Sequence, residues 1–323
     1  MAQSLYKSLK LRSNAPVDVL APGWSRAVLA RMPEVRKSIE LPIGHGEFAW
    51  RRRRHLGRNL AGEGYGWAIV LPRSFKSALT PFHAGIPVRT GYRGEMRWGL
   101  INDIRRLDQT LLPRTVDRFV ALGLPRDTEL PPQIPPPRLE VDEENQQRLC
   151  GKFGLDPQLP AVAMMPGAEY GPAKCWPLEY FAQLAQRLDD EGLQVWILGS
   201  DNDRVAGEQV CKLAPGSVNL CGRTRIEDVI DILALANAAV TNDSGLMHIA
   251  AAVGTHVIAI YGSTTPAFTP ALTANKLELF LDLECSPCFQ RECPLGHLRC
   301  LREIDPDQVF QALSTVRRRR AVY

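Results

Sequence analysis

The sequence has no long hydrophobic run and no large excess of either charge. Its apolar stretches are short pieces such as Val195-Trp196-Ile197-Leu198, whereas a membrane-spanning helix needs roughly 18 consecutive apolar residues. Among its 323 residues, 39 lysines and arginines stand against 35 aspartates and glutamates, a net charge of +4. That balance is far from the strongly basic composition of a nucleic-acid-binding protein. The composition therefore argues against a membrane-spanning protein and against nucleic acid as a partner.

The first residues show no secretory signal either. They contain no basic region followed by an apolar segment and a small-residue cleavage site, which together mark an exported chain. We therefore expect a cytoplasmic protein. In that compartment the eight cysteines are expected to be thiols or metal ligands rather than disulfides.

Prolines are concentrated between Pro125 and Pro137, where six of the 25 occur. Regular helices and strands do not tolerate that density, so a domain linker is predicted there. The predicted domains are residues 1–138, which include the linker, and residues 139–323.

After the linker, short apolar runs alternate with helical stretches, as in a parallel sheet with helices on both faces. One helix is predicted at 177–190, with Pro177 at its first position. Another is predicted to run to residue 237 from a capping box of Thr224 and Glu227. The second half is therefore predicted to be a Rossmann-like, doubly wound α/β domain. Its strands are predicted at 161–165, 194–198, 218–221, 238–242 and 256–261.

The first half alternates in a similar way, with strands predicted at 17–20 and 67–71 and helices at 2–10, 25–31, 47–60 and 75–83. It opens inside a helix, whereas a doubly wound domain opens with a strand that lies in the middle of its sheet. We therefore expect a second Rossmann-like domain without its N-terminal strand, because the chain is truncated or its start is assigned too late.

The most informative motif follows the predicted strand 238–242 and opens a helix. Ser244 and Gly245 would present free backbone N–H groups at a helix N-terminus, a standard binding position for phosphate. His248, one turn later, can add a donor, and Asp243 can hold the loop or a ligand hydroxyl. The alternative is that Asp243 only caps the helix and His248 is a packing residue. Residue types alone leave the two interpretations about equal.

Two further loops end strands on the same edge of the predicted sheet. In the loop 166–174, Lys174 stands ready to neutralise a pyrophosphate, although a lone loop lysine is usually just solvated. The turn Gly199-Ser200-Asp201 suits a base or ribose. Asp201 and Asp203 resemble the paired carboxylates of a metal-dependent sugar transferase, but acidic residues at a helix start commonly serve the helix dipole.

Basic residues cluster in the first half of the chain. The loop 71–77, with Arg73 and Lys76, stands close in sequence to Arg89, Arg93 and Arg97 and would form a wall for an anionic ligand; the alternative is an ordinary basic surface. The runs of four arginines at 51–54 and 317–320 are more typical of solvated faces or tails.

Half of the cysteines lie within sixteen residues, at Cys285, Cys288, Cys293 and Cys300, with His297 among them. A Cys-x2-Cys pair is a good half-site for zinc, but the second pair does not have that spacing. The cluster is therefore predicted to be either a structural zinc site or a group of reduced thiols.

Several runs together resemble a known family over nearly the whole chain. The loop Asp243-Ser244-Gly245-Leu246-Met247-His248 resembles the ADP-heptose glycosyltransferases. More specific are Glu169-Tyr170-Gly171-Pro172-Ala173-Lys174 and Arg93-Gly94-Glu95-Met96-Arg97. With residues 71–79, 89–97, 102–103 and the cysteine-rich segment, they resemble the second type of lipopolysaccharide heptosyltransferase.

The resemblance implies two Rossmann-like domains of the GT-B kind. It implies that the second half binds ADP-L-glycero-D-manno-heptose and that the first half, through Arg73, Lys76, Arg93 and Arg97, binds heptosyl-Kdo2-lipid A at the inner face of the inner membrane. It further implies inverting transfer without an essential metal or other cofactor, in lipopolysaccharide core biosynthesis. The implied donor-binding residues are Glu169, Tyr170, Lys174, Ser200, Thr224, Asp243, Ser244, Gly245 and His248.

One departure from the family pattern concerns catalysis. The family's general base is an aspartate in a loop after the first strand, and that position precedes Met1. Loss of a general base typically costs about 10²- to 10⁴-fold in rate. The alternatives to a transferase are therefore a truncated, inactive ADP-sugar-binding remnant and a nucleotide-sugar enzyme of the same fold with other chemistry.

Overall fold

The structure is a computed structural model that describes residues 1–44 and 46–320, without the side chains of 315–320. The arginine run 317–320 therefore lies outside the described side chains. The chain divides into two compact units. The first comprises Met1–Ala30 and Glu34–Pro135, and the second comprises Arg31–Pro33 and the chain from Pro136 onward. As predicted, residues 125–137 contain no helix or strand.

The first unit contains five helices and five strands among the described residues. Its helices are α1 (Ala2–Arg12), α2 (Arg26–Leu29), α3 (Trp50–Leu60), α4 (Leu79–His83) and α5 (Thr115–Leu122). Its strands are β1 (Val17–Ala21), β2 (Val35–Glu40), β3 (Trp67–Val70), β4 (Val88–Tyr92) and β5 (Asp103–Arg105).

These five strands form two separate parallel sheets. One pairs β1 with β2, and the other has the order β3-β4-β5. A doubly wound sheet has the order 3-2-1-4-5-6. If β1 is counted as the second strand, the observed sheets are the 3-2 and 4-5-6 parts of that order. The prediction of a Rossmann-like unit without its first strand is therefore confirmed.

The second unit is built on one continuous parallel sheet. Its strands are β6 (Ala161–Met165), β7 (Gln194–Ile197), β8 (Val218–Asn219), β9 (Ala238–Asn242), β10 (His256–Ile260) and β11 (Lys276–Leu279). Its helices are α6 (Glu143–Phe153), α7 (Leu178–Asp190), α8 (Arg204–Leu213), α9 (Ile226–Leu235), α10 (Gly245–Ala252), α11 (Arg299–Arg302) and α12 (Pro306–Arg320).

The strand order β11-β10-β9-β6-β7-β8 confirms the predicted doubly wound fold. Every residue of β6 and β9 is buried, because helices cover both faces of the sheet, and this explains their almost uninterrupted apolar sequences. The connections of a doubly wound sheet change direction between β6 and β9, which is where such folds bind ligands.

Two predicted helix starts are wrong by one residue. Pro177 is the N-cap of α7, not its first residue. Arg225 is the N-cap of α9, and Asp228 rather than Glu227 accepts from the N-cap backbone N–H. Asp228 Oδ2 accepts from the Arg225 N–H at 3.0 Å, whereas the Thr224 hydroxyl donates to the Leu220 carbonyl at 3.4 Å. That bond engages Thr224 in the turn before the helix.

Candidate functional site

An ion pair joins two loops at the carboxyl ends of the central strands β6 and β9. Lys174 lies in the loop after β6, and Asp243 directly follows β9. Their closest atoms, Lys174 Nζ and Asp243 Oδ2, are 2.6 Å apart, and the side chains are 14% and 5% exposed. The structure thus brings together two predicted donor-binding residues that lie 69 positions apart in the chain.

The carboxylate of Asp243 has partners beyond Lys174. The hydroxyl of Thr264 donates to Oδ2 at 2.7 Å, and the hydroxyl of Thr269 lies 3.2 Å from both oxygens. Both threonines come from the loop that follows β10, and sequence reasoning missed them. Their signal was the Gly262-Ser263-Thr264 turn at the end of a predicted strand, on the edge where the other two loops lie.

Asn242, the last residue of β9, ties the same two loops together and was also missed. Its side-chain amide donates to the Pro166 carbonyl at 2.7 Å and accepts from the Trp176 N–H at 2.9 Å. Asn242 and Trp176 are both buried. The loop that carries Lys174 is therefore held at both ends by one side chain of the neighbouring strand.

Helix α10 begins at this ion pair. Ser244 is its N-cap and makes no side-chain capping bond, so its first N–H groups are not satisfied by that hydroxyl. Gly245 is exposed and has open space where a Cβ would stand. His248 lies one turn in, and among the described residues its Nδ1 is buried without a partner. Burial lowers the pKa of His248 to about 4, so the ring is neutral at pH 7.

The other predicted donor-binding residues occupy the same edge of the sheet. Tyr170 lies beside Lys174, whose Nζ is 5.0 Å from the centre of its ring, and Glu169 is exposed. Ser200 follows β7, where its hydroxyl donates to Asp203 Oδ2 at 2.7 Å. Asp203 thus serves the helix start, as expected. Thr224 lies in the turn between β8 and α9.

In the first unit, the loops after β3 and β4 meet. The Glu95 N–H donates to the Arg73 carbonyl at 3.2 Å, and the Phe75 N–H donates to the Glu95 carboxylate at 2.6 Å. Arg73 and Arg93 are exposed on these two loops. The structure therefore brings two of the four predicted acceptor-binding side chains onto adjacent loops.

The other two predicted acceptor-binding residues are engaged with the backbone. Lys76 Nζ donates to the Gly46 carbonyl at 2.8 Å. Arg97 is 2% exposed, and its guanidinium donates to the carbonyls of Pro72, at 2.7 Å, and Tyr92. Arg97 therefore braces the two loops from inside.

All four clustered cysteines are free thiols that line one small cavity with His297. Within the described chain, no three histidine, cysteine, aspartate or glutamate side chains are already arranged to hold a metal ion. In the same part of the chain, no helix combines the length and hydrophobicity needed to cross a membrane.

Comparison with known proteins assigns the family. Residues 53–299 match the model of glycosyltransferase family 9 (heptosyltransferase). The chain is 42% identical to lipopolysaccharide heptosyltransferase 2 of Escherichia coli K12, over 98% of this chain and 94% of that protein. It is 43% identical to lipooligosaccharide heptosyltransferase 2 of Haemophilus influenzae, with 97% and 94% covered.

The solved structure of E. coli ADP-heptose lipopolysaccharide heptosyltransferase II is also similar, with a TM-score of 0.82 and 39% identity over 98% of this chain and 93% of that one. The chain belongs to glycosyltransferase family 9, the heptosyltransferases.

Proposed function

We propose that the protein transfers heptose from ADP-L-glycero-D-manno-heptose to the heptosyl-Kdo2-lipid A inner core of lipopolysaccharide. The observation that carries the proposal is the Lys174–Asp243 pair at the switch point of the second unit, within a chain of the heptosyltransferase family. The names of its relatives, heptosyltransferases of the second type, support an acceptor that already carries one heptose.

The donor's diphosphate would bind where Lys174 and the start of α10 meet. An ammonium group has three N–H donors, and Asp243 engages two of them, through its carboxylate at 2.6 Å and its carbonyl at 3.5 Å. The third is available to a phosphate oxygen. The N–H groups of Ser244 and Gly245 add the positive end of a helix dipole. These groups would stabilise ADP as it leaves.

Neutral His248 can donate one hydrogen bond to the bound diphosphate from the imidazole nitrogen that carries the proton. Ser200 and Thr224, on strand ends farther along the sheet, would contact the adenosine, and Glu169 and Tyr170 would border the sugar. We further propose that transfer inverts the anomeric centre and needs no divalent cation. The support is Lys174 together with the N–H groups at the start of α10, which can supply the hydrogen-bond donors and electrostatic stabilisation that a metal gives elsewhere.

The acceptor would bind to the first unit. That unit has 21 lysines and arginines against 11 aspartates and glutamates, a net charge of +10, whereas the second has 18 against 24, a net charge of −6. The phosphates and carboxylates of an inner-core lipid suit exposed Arg73 and Arg93. A cytoplasmic enzyme that meets this lipid would work at the inner face of the inner membrane.

The test is a transfer assay with ADP-heptose and heptosyl-Kdo2-lipid A, without added divalent cations and with mass spectrometry of the lipid product. We expect product with this acceptor and none with Kdo2-lipid A. Lys174→Ala should lower kcat/KM by about 10²-fold, since it removes a charged donor from the leaving group. Lys212→Ala, an exposed lysine on α8, is the matched control and should behave like the wild type.

Each contrary result has a distinct meaning. Donor binding without transfer would favour an inactive ADP-sugar-binding protein. Turnover of the donor alone, with no lipid needed, would favour another chemistry on the same fold. Full activity of Lys174→Ala would remove the role assigned to this lysine.

A further inference from the structure

The cysteine-rich segment encloses a cavity that the donor site does not use. The cavity measures about 20 Å³, which is room for one water-sized particle or one ion. Sulfur and imidazole groups surround it, together with Ser263, Ala173 and three residues of the segment 294–298. The chemically active residues of the lining are Cys285, Cys288, Cys293, His297 and Cys300.

A buried polar group without a partner also lines the cavity. Ser263 is 1% exposed, and among the described residues its hydroxyl has no hydrogen-bond partner. An orphaned hydroxyl in the interior costs free energy, so such groups usually meet an ion, a ligand or water. The cavity therefore has both the space and an unpaired polar group for a bound ion or water molecule.

The backbone turns directly after Cys293. Gly296 and Leu298 have positive φ angles of 69° and 52°, and the Gly296 N–H donates to the Cys293 carbonyl at 3.1 Å. Cys293 and His297, on either side of this turn, both line the cavity. The turn therefore brings two groups that can bind zinc to the same cavity.

This segment is fastened to the loop that carries Lys174. The Tyr170 hydroxyl donates to the Phe289 carbonyl at 2.7 Å, and Arg291 Nε donates to the Tyr170 carbonyl at 2.7 Å. The Ala173 N–H donates to the Arg291 carbonyl at 3.1 Å. At Gly171 a Cβ would stand 2.5 Å from that carbonyl oxygen, so a side chain there would force the two segments apart.

The segment is also bound to the loop after β10. The Ser286 hydroxyl donates to the Gly262 carbonyl and the Phe289 N–H to the Ser263 carbonyl, each at 2.7 Å. Between β11 and α11 the chain has no helix or strand. The 19 residues 280–298 are therefore not held in place by the hydrogen bonds of a helix or a sheet.

We propose that Cys285, Cys288, Cys293 and Cys300 hold one structural zinc ion in this cavity and thereby fix the loop that carries Lys174. Four sulfurs at about 2.3 Å around a tetrahedral centre are the common structural zinc site. The thiols must close on the ion from their present positions, since no three ligands yet converge. Rotation of χ1 between staggered positions moves a cysteine sulfur by about 3 Å without backbone movement. Each coordinating thiol releases its proton to solvent.

The test of the metal site needs no substrate. The full chain, purified without chelators, should contain about one zinc per chain by elemental mass spectrometry, since one centre of four thiolates holds one ion. Cys288→Ser and Cys293→Ser should reduce this to less than about a tenth, because a structural site needs all four ligands. Cys150→Ser and Cys211→Ser, which alter free thiols outside the cluster, are the controls and should retain the zinc.

A second measurement remains informative if the cluster variants fail to fold. In the wild type, a chelator should make four further thiols reactive toward a thiol reagent, beyond those that already react in the zinc-loaded chain. Cobalt added to the stripped, reduced chain should give the intense visible absorption of tetrahedral sulfur coordination. Wild-type protein without zinc, whose thiol reactivity does not change with chelator and which gives no cobalt absorption, would overturn the proposal.

The effect on the Lys174 loop rests on the proposed function and is measured separately. Removal of zinc should weaken binding of ADP-heptose, and restored zinc should recover it. A zinc-containing protein whose donor binding is unchanged by metal removal would refute only this positional role. A zinc-containing protein that never binds ADP-heptose would refute the proposed function and leave the metal site standing.

Discussion

At the residue scale, the structure gives Asp243 a positioning role. Its carboxylate accepts bonds from Lys174, Thr264 and Thr269 within the protein. Two of these bonds converge on Oδ2, whereas Oδ1 has only the bond shared with Thr269. The geometry indicates that Asp243 orients Lys174 and that the two threonines orient Asp243.

Thr264→Val should therefore weaken donor binding through its effect on Asp243 and Lys174. The valine keeps the shape but removes one of the bonds to a buried carboxylate, and a bond to a charged group is worth about 1.5–3 kcal/mol. Asp243 then holds Lys174 less firmly. We expect the Kd for ADP-heptose to rise about tenfold, measured by calorimetry. Thr264→Ser retains the hydroxyl and should bind as the wild type does; equal affinities for all three proteins would contradict this role.

His248 predicts how stability depends on pH. Burial is the largest of the effects that lower its pKa from 6.5 to about 4. Between these values the unfolded chain binds a proton that the folded chain does not. The stability contributed by neutral His248 is therefore complete above pH 6.5 and is lost as the pH falls toward 4, by about 2 kcal/mol at pH 5.

The measurement is denaturant unfolding at pH 7.5, 6 and 5. His83 has a pKa shifted in the same direction, by burial and then by Arg54 and Arg58, so the wild type alone does not isolate His248. His248→Gln should show a shallower loss of stability between pH 6.5 and 5 than the wild type. Parallel curves for the two proteins would show that His248 does not titrate in this way.

At the element scale, Arg97 joins the loops that follow β3 and β4. Arg97 lies in the loop after β4, is buried, and donates to the carbonyl of Pro72 in the loop after β3 and to that of Tyr92 at the end of β4. Arg97→Ala leaves these carbonyls unsatisfied and opens a cavity, so we expect a loss of about 2–4 kcal/mol of stability. Thermal unfolding measures it.

The matched substitution is Arg93→Ala, four residues earlier and exposed. It should change stability by less than about 0.5 kcal/mol but raise the KM for the lipid acceptor. A large stability loss in Arg93→Ala, or none in Arg97→Ala, would reverse the roles assigned to these two arginines.

Elements were predictable where their sequence pattern was strong. Strands β6 and β9 have the predicted bounds, because apolar runs buried on both faces have no other stable position. Strand β2 was not predicted, because three of the six residues of Val35–Glu40 are charged. An edge strand tolerates such charged side chains. Strand β8 is shorter than predicted: the Asn219 side chain accepts from the Cys221 N–H at 3.1 Å and replaces a bond of the sheet.

At the scale of the whole molecule, charge is divided between the two units, +10 and −6. The exposed face of α3 contributes Arg51, Arg52 and Arg58, whereas Arg53 is buried and donates to the Phe48 carbonyl at 2.8 Å. The arginine run at 51–54 is therefore only partly a solvated face. A unit with this charge should be attracted to anionic lipid surfaces.

Binding to vesicles that contain phosphatidylglycerol should therefore weaken as salt is raised. Replacing Arg51, Arg52 and Arg58 together by glutamine should reduce vesicle binding by well over tenfold. Each basic charge near the membrane surface contributes about 1 kcal/mol to the binding free energy. The control with the same change in net charge replaces Lys152, Arg204 and Lys212 of the second unit. The measurement is sedimentation with vesicles. An equal loss of vesicle binding in both triple variants would show that binding depends on net charge alone and not on the position of the arginines.

The sequence by itself determined the doubly wound architecture and the loops that carry Lys174 and Asp243, because periodic burial and turn chemistry are local properties. Tertiary structure alone decided which of these residues meet. Lys174, Asp243, Thr264 and the cysteine cavity come from strands and loops far apart in the chain, and only the strand order places them side by side. It also decided that Arg97 is buried while Arg93 is exposed, since burial depends on what packs over a loop and not on its sequence.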